Sequence, residues 1–274
     1  CGTDIRIVTG RKTMGVRYPS VLGHEFSGEI VDNGGSSRFR VGEAVCVDPA
    51  IACGHCAYCR RGLENVCENL TAIGYEVDGA FAEYIRIPGR ALETGNVFAM
   101  PEGVSFEEAA LAEPLACVIN GQEKVGVERG DVVTILGSGP IGLLHVKLAR
   151  LSGARRIIVS EPNAQRRQVA LDAGADVVVD PANEDLKAIV KDQSGGIGAD
   201  VVIVAIGVPS LANDALGLAR LRGRISLFAG FNKGEMAPLD VNAIHYNELI
   251  VTGSFGLSRL QFEKSLNLIA SGQL

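Results

Sequence analysis

Beyond residue 130 the chain repeats one pattern: short apolar runs rich in Val and Ile, "VVTIL", "RIIVS", "DVVVD", "DVVIVAI" and "RISLFAG", separated by segments long enough for helices. Continuous Val/Ile runs are strands buried on both faces, and intervening helices make such strands parallel, so this half reads as a doubly wound α/β sheet. Residues 20 to about 100 have another texture. Pieces such as "FSGEIV", "EAVCV" and "FAEYIRI" alternate with Gly, Pro and Asn, which suits a small irregular β domain. Between the halves, Ser105 followed three residues later by Glu108 makes a capping box, and Pro114 is expected to end or kink the helix that the box opens.

Composition narrows the function classes. A chain of 274 residues, 47% hydrophobic and 21% charged, can bury a core in about two domains. The net charge is -6, and no cluster of Lys and Arg is dense enough to neutralise a phosphate backbone, which argues against nucleic acid. No apolar run approaches the roughly 18 residues of a membrane helix, and no signal-peptide pattern opens the sequence. The expectation is a soluble cytoplasmic protein without a membrane partner. Seven cysteines, an odd count without an export signal, favour reduced thiols that bind metal over a disulfide framework.

The run "VVTILGSGPIGLLHVKLARLSGA" places Gly137, Gly139 and Gly142 in GxGxxG spacing between a strand and a helix. In that arrangement the first glycine permits the turn, the second lets the backbone approach a pyrophosphate, and the third lets helix pack on strand. Pro140 suits the first helical turn, and with Ile141 it completes the candidate cofactor loop. The next strand ends at Glu161, 19 residues past Gly142, where a carboxylate receives the ribose hydroxyls and repels a 2′-phosphate. NAD is therefore favoured over NADP, with Arg166 and Arg167 as the guanidinium groups that would instead accommodate the phosphate.

Cys53, Cys56, Cys59 and Cys67 follow C-x2-C-x2-C-x7-C, so one loop can wrap four thiolates around a single tetrahedral ion. Such a site is closed to substrate, and its role is to stabilise a lobe with little apolar core. An iron–sulfur cluster uses the same ligands, but no electron-transfer context accompanies them here. Three other stretches, "CGTD" at residues 1 to 4, "GHEFSG" at 23 to 28 and "AEPLAC" at 112 to 117, offer Cys1, His24 and Glu25. A mixed ligand set of this kind is what an open, reactive zinc needs.

"GHEFSGEIVDNGGSS", preceded by "CGTD" and followed by the four-cysteine lobe and "GSGPIG", resembles the zinc-containing medium-chain dehydrogenase/reductase family along essentially the whole chain. The phrase "EPLAC" resembles its polyol (sorbitol) dehydrogenase branch. The resemblance implies a GroES-like β-rich catalytic domain over 1–118 carrying the lobe at 53–67, a Rossmann NAD-binding domain over 119–256, and the start of a return segment over 257–274. It implies zinc at two sites: a catalytic one held by Cys1, His24 and Glu25, with Glu113 as fourth ligand or as the holder of a bound water, and a structural one. Relatives extend further at both ends, so the sequence is expected to be a piece of a longer chain.

The implied reaction is hydride transfer from a secondary alcohol of a polyol, sugar derivative or cyclitol to NAD, with Asp4 orienting the His24 ring and Thr3 receiving the alcohol proton. The sequence departs from the family twice. Arg6 stands where many relatives place a relay histidine, and an arginine cannot shuttle a proton at neutral pH. Gly256 and Leu257 stand where sorbitol dehydrogenases carry substrate-binding Arg and Tyr, which argues against sorbitol itself. Alternatives within the family are a threonine, simple-alcohol or phosphorylated-polyol dehydrogenase; outside it, an inactive dinucleotide-binding scaffold. Relatives commonly form dimers or tetramers, so a homo-oligomer is expected.

Overall fold

The computed structural model describes every residue except Cys1 and Met14. It divides into two compact units, one made of the residues up to Ile119 together with Phe255–Leu274, the other of Asn120–Ser254.

The first unit opens with a helix that the sequence reading did not foresee, α1 (Gly2–Val8), which buries Asp4 and Ile7. Strands β1 (Ser27–Glu29) and β2 (Ala44–Val47) follow, then the short pair β3 (Ala50–Ile51) and β4 (Thr71–Ala72), helix α2 (Gly89–Glu93) and β5 (Val97–Ala99). The antiparallel order β1-β2-β5 makes β2 central. Its side chains alternate as a strand requires. Val45 and Val47 join Phe39, Ile51, Ile73 and Val97 in one cluster, while Cys46 turns to a second cluster with Ala109, Leu257 and Phe262. The run "FAEYIRI", expected to be a strand, forms none: Phe81 donates its N–H to the Leu22 carbonyl, and only the side chains of Ile85 and Ile87 reach the β-lobe core. Its apolar alternation serves packing without a ladder partner.

The capping box at Ser105 and Glu108 is present and opens α3 (Phe106–Ala110). That helix breaks at Leu111, and α4 (Ala112–Val125) begins at once. Pro114 therefore stands in the first turn of a new helix rather than ending the old one. Its missing N–H costs nothing where no intrahelical acceptor exists.

The second unit alternates β6 (Val132–Leu136), α5 (Pro140–Leu151), β7 (Arg156–Ser160), α6 (Ala164–Asp172), β8 (Val177–Val179), α7 (Leu186–Gln193), β9 (Ala199–Val204), α8 (Pro209–Leu218), β10 (Ala219–Leu227), α9 (Val241–Tyr246) and β11 (Ile250–Gly253). All neighbouring pairs in the order β11-β10-β9-β6-β7-β8 are parallel. Alternate residues feed two separate cores: Ile158, Val202 and Val204 on one face, Ile157, Val159, Val201 and Ile203 on the other. Recurrent "DVV" triplets begin β6, β8 and β9, and their aspartates do structural work between strands. Asp200 accepts the Val132 N–H at 2.8 Å and Asp176 the Ile157 N–H at 2.6 Å, so a carboxylate fixes an amide near the head of each neighbouring strand. The chain reverses direction across the sheet between β6 and β9, which opens a crevice at their carboxyl ends, where such sheets bind ligands. After β11 the chain re-enters the first unit as α10 (Arg259–Ala270), capped by Ser258 and Gln261, with Phe262 buried beside Cys46. Among the described residues no helix is long and apolar enough to cross a membrane.

One buried polar residue gives the second unit a pH response. His145 on α5 is fully buried, accepts at Nδ1 from the Gln122 amide at 3.3 Å, and meets the Phe228 ring edge-on at 4.6 Å. Burial pushes its pKa down to about 3, so it is neutral when folded and takes a proton readily only when unfolded. This contribution is whole above the ordinary histidine pKa and falls as pH drops from there towards the folded value. Denaturant unfolding at pH 7.5 and 5.5 is expected to show wild type losing about 1 kcal/mol more than His145→Gln across that interval.

Candidate active site and metal centres

His24, Glu25 and Glu113 come together from two segments. Their ligand atoms all lie within 4.8 Å of one another. His24 sits in an extended stretch tied to residues 79–81 by backbone bonds, with Gly79 donating to Val21, Ala80 to Gly23 and Phe81 to Leu22. Glu113 enters from the first turn of α4. Asp4, on α1, places Oδ1 3.5 Å from His24 Nδ1 and accepts the Gly23 N–H at 3.3 Å. Cys1 lies outside the described residues.

The electrostatics reflect this crowding. Burial would raise the Asp4 carboxyl, but the bond to His24 and its charge outweigh that and hold it down to about 2. Burial likewise opposes a charge on His24, yet Asp4, Glu113 and Glu25 together raise its pKa. Glu113 is pushed up to about 7, chiefly by burial with Glu25 adding to it. One turn on, the Cys117 thiol lies 3.6 Å from Glu113 Oε1 and is held well above its ordinary pKa by burial and by that carboxylate.

The four thiols of residues 53–67 form the second cluster, again within 4.8 Å of one another. Cys56–Cys59, Cys53–Cys59 and Cys56–Cys67 sulfurs are 3.5, 3.9 and 3.9 Å apart. Thiolates about 2.3 Å from a tetrahedral zinc lie about 3.8 Å from each other, so the spacing fits that ion. Backbone N–H groups point at the sulfurs: Cys53 and Asn69 donate to Cys67, and Cys56 to Cys53, at 3.2 to 3.3 Å. Such donors stabilise thiolates. Amide donors, that of Cys59 first, bring Cys56 down to about 6.

In the second unit the turn from β6 to α5 carries the glycines. Gly137 has φ +96°, and a Cβ on Gly142 would stand 2.1 Å from the Gly137 carbonyl oxygen, so fold geometry alone requires both. Gly139 differs. Its φ of -65° is open to any residue, and a Cβ there would meet nothing within 4 Å. A ligand's close approach, such as that of a dinucleotide's pyrophosphate to the helix N-terminus, would account for its lack of a side chain. Pro140 starts α5, whose cap residue Gly139 offers no side-chain partner, and Ile141 and Gly142 complete its first turn. Glu161 is buried, with Oε2 receiving the Ser138 N–H at 2.9 Å and Oε1 the Asn163 N–H at 3.0 Å. It lines, with Gly137, Arg166 and Ile206, a cavity of about 930 Å³. Arg167 is engaged elsewhere, donating to the Glu161 and Pro162 carbonyls and pairing with Asp180 at 3.2 Å.

Residues 1–98 match the alcohol dehydrogenase GroES-like domain and residues 140–271 the zinc-binding dehydrogenase domain. The scyllo-inosose 3-dehydrogenase of Thermotoga maritima is 35% identical over 99% of this chain and 74% of its own length. The 2-dehydro-3-deoxy-L-galactonate 5-dehydrogenase of Pseudoalteromonas atlantica is 36% identical over 100% of this chain and 78% of its own. The solved structure of a zinc-binding dehydrogenase from Sinorhizobium meliloti, bound to NADP, superposes with a TM-score of 0.90 at 35% identity, covering 100% of this chain and 79% of that one. The chain belongs to the zinc-containing medium-chain dehydrogenase family. It is an oxidoreductase acting on CH–OH groups, with zinc and a nicotinamide dinucleotide as cofactors.

Beside the candidate cluster stands Tyr75, which carries no signal in the sequence. The Tyr75 ring packs 5.3 Å from the His24 ring and its hydroxyl bonds the Thr3 side chain. Leu257, one of the two positions expected to depart from sorbitol dehydrogenases, is a buried core residue beside Phe262.

The glycine turn makes a sharp test. Gly142→Ala is expected to lower the melting temperature by several degrees, because the added carbon meets backbone that cannot yield. Gly139→Ala is expected to cost no more than about 1 kcal/mol of stability, yet weaken NADH binding at least about tenfold in a fluorescence titration.

Proposed function

We propose that the chain oxidises a secondary alcohol of a polyol, sugar derivative or cyclitol with NAD, and that the convergence of His24, Glu25 and Glu113 on one point carries this reading. With Cys1 these residues would hold the catalytic zinc, Glu113 as a fourth ligand or as the holder of a bound water. The two relatives described above are named for a cyclitol ketone and a sugar acid, which suits the substrate class. Cys53, Cys56, Cys59 and Cys67 would hold a second, structural zinc, and four reduced thiolates fit a cytoplasmic setting. The same reading assigns residues 1–118 to the catalytic domain, 119–256 to the dinucleotide domain and 257–274 to the return.

When bound, zinc supplies Lewis acidity that favours the alkoxide form of the alcohol, and NAD supplies the hydride acceptor. The chain's own residues supply position and a proton path. Asp4 engages His24 at Nδ1 and so leaves Nε2 as the donor towards the cluster. The Thr3 hydroxyl accepts the alcohol proton, with Tyr75 bonded to it as the next oxygen in line, so Arg6 need not take part.

NAD is favoured over NADP because the buried Glu161 carboxylate would face a 2′-phosphate, while Arg167 is committed to Asp180 and to two carbonyls. The strand β11 is an open sheet edge with Ile250 exposed, which supports assembly as a homo-oligomer, a dimer or tetramer.

Elemental analysis is expected to give about two zinc per chain in wild type and about one in His24→Ala, which also loses NAD-dependent oxidation of polyols by about a thousandfold or more. Two retained zinc ions with normal turnover in that variant would remove the catalytic assignment. Glu161→Ala is expected to weaken NAD binding and narrow the preference over NADP; an unchanged preference would move the discrimination to Arg166.

A further inference from the structure

One cation beside the dehydrogenase site has no task in the chemistry above. After α1 the chain folds back so that the Arg11 and Lys12 amides both donate to the Arg6 carbonyl, at 2.7 and 3.0 Å. The fold-back sets Lys12 Nζ over the face of Tyr75, 5.2 Å from the ring centroid. Tyr75 is the residue that packs against His24 and bonds Thr3, so the ammonium and the candidate cluster share one aromatic ring as a neighbour. Lys12 and Arg6 are both half-buried. Among the described residues neither has a carboxylate within ion-pair distance, whereas Arg17, Arg150, Arg167, Arg220, Arg224 and Arg259 all do. Two of the acids nearest the cluster have partners of their own: Asp4 the His24 ring and the Gly23 amide, Glu113 the Cys117 thiol.

An aromatic face orients an ammonium but replaces only part of its hydration, and it leaves the remaining N–H donors free to bind. The turn carries Arg6, Arg11 and Lys12, three positive charges close together in the chain. We propose that Lys12, seated on Tyr75, receives an anionic group of the substrate, a carboxylate or a phosphate, so that the alcohol oxidised here belongs to an acidic polyol or polyol phosphate rather than to a neutral one. This rests on the proposed function and narrows its substrate class. The hydroxyl to be oxidised then lies at the cluster and the anion at the Lys12 ammonium on the Tyr75 ring. A charge-assisted contact at that distance fixes which carbon of a chain with several hydroxyls faces the nicotinamide.

Calorimetric titration of the full chain loaded with zinc and NADH tests this without turnover, using a six-carbon aldonate, the matching alditol phosphate and the uncharged alditol as probes. Wild type is expected to bind one of the two anions at least about tenfold more tightly than the alditol, and the identity of that anion distinguishes carboxylate from phosphate. Lys12→Met, which keeps the apolar stem on Tyr75, is expected to lose that preference with alditol binding unchanged, and Lys12→Arg to keep it. Equal binding of all three probes, binding of none, or a preference that survives Lys12→Met overturns the proposal. Parallel assays of NAD reduction keep the two readings apart. Alditol turnover without an anion preference sinks this inference and leaves the dehydrogenase assignment standing, while Lys12-dependent anion binding without turnover of any probe does the reverse.

Discussion

Three carboxylates, Asp4, Glu25 and Glu113, converge on a single imidazole in a half-buried region, and the first unit is arranged around that concentration of negative charge. Carboxylates this close repel one another, and burial penalises each. His24 offsets part of the cost by its raised pKa, while Glu113 offsets part by its own shift towards the neutral form. Neither removes it. A divalent cation held by His24, Glu25 and Glu113 would offset more of it, since its ligands bind in their deprotonated forms. Much of the local architecture serves to deliver these groups against their repulsion: α1 brings Asp4, the backbone bonds to residues 79–81 hold the His24 segment, and α4 projects Glu113 from its first turn.

The second unit solves a different problem with the same residue type. A parallel sheet leaves amides near the heads of its strands without a neighbour to pair with, and here aspartates at the heads of adjoining strands accept two of them. Asp131 carries this outward, receiving Arg224 at 2.8 Å. With the amino ends of the strands held in this way, the carboxyl ends of β6 and β9 open the crevice of the glycine turn. Gly137 and Gly142 belong to the sheet's requirement and Gly139 to the ligand's. One short loop thus serves stability and binding through different atoms.

How much of this was legible in the sequence depended on whether the deciding contact was local. "VVTIL" and "RIIVS" are β6 and β7 residue for residue, because a strand buried on both faces needs only its own composition. The capping box at Ser105 is likewise a four-residue matter. "FAEYIRI" carries the same alternation but forms no strand, since a ladder needs a partner that its own residues do not specify. Pro114 was misread for a related reason: the break falls at Leu111, and a proline three residues later is an ordinary occupant of a first turn. At the site, "GHEFSG" and the cysteine spacing announced His24, Glu25 and the thiols because ligands cluster in short motifs. Tyr75 and Lys12 announced nothing. Each is an unremarkable residue in its own stretch, and their meaning comes from packing against a ring supplied by a distant segment.

The four-cysteine lobe is a segment that cannot fold by burial alone. Its apolar cluster consists of the cysteines themselves with Ala52 and Leu70, far too little to order residues 53–67 against their conformational entropy. A tetrahedral ion would supply that missing core, and once ordered the lobe acts as an anchor. Asn65 donates to the Phe255 carbonyl at 2.7 Å, and Glu64 accepts the Arg259 N–H at 2.9 Å, so the lobe grips the start of the segment that returns as α10. Arg259 donates onward to the Thr94 carbonyl and Phe262 fills the space beside Cys46, on the face of β2 opposite the β-lobe core. The lobe therefore secures the return helix, and Ser265 on that helix donates to the Ala112 carbonyl at 2.8 Å, the residue immediately before Glu113. Loss of the lobe's order would reach the candidate active site through α10 and the first turn of α4, a structural route from four thiols to one carboxylate.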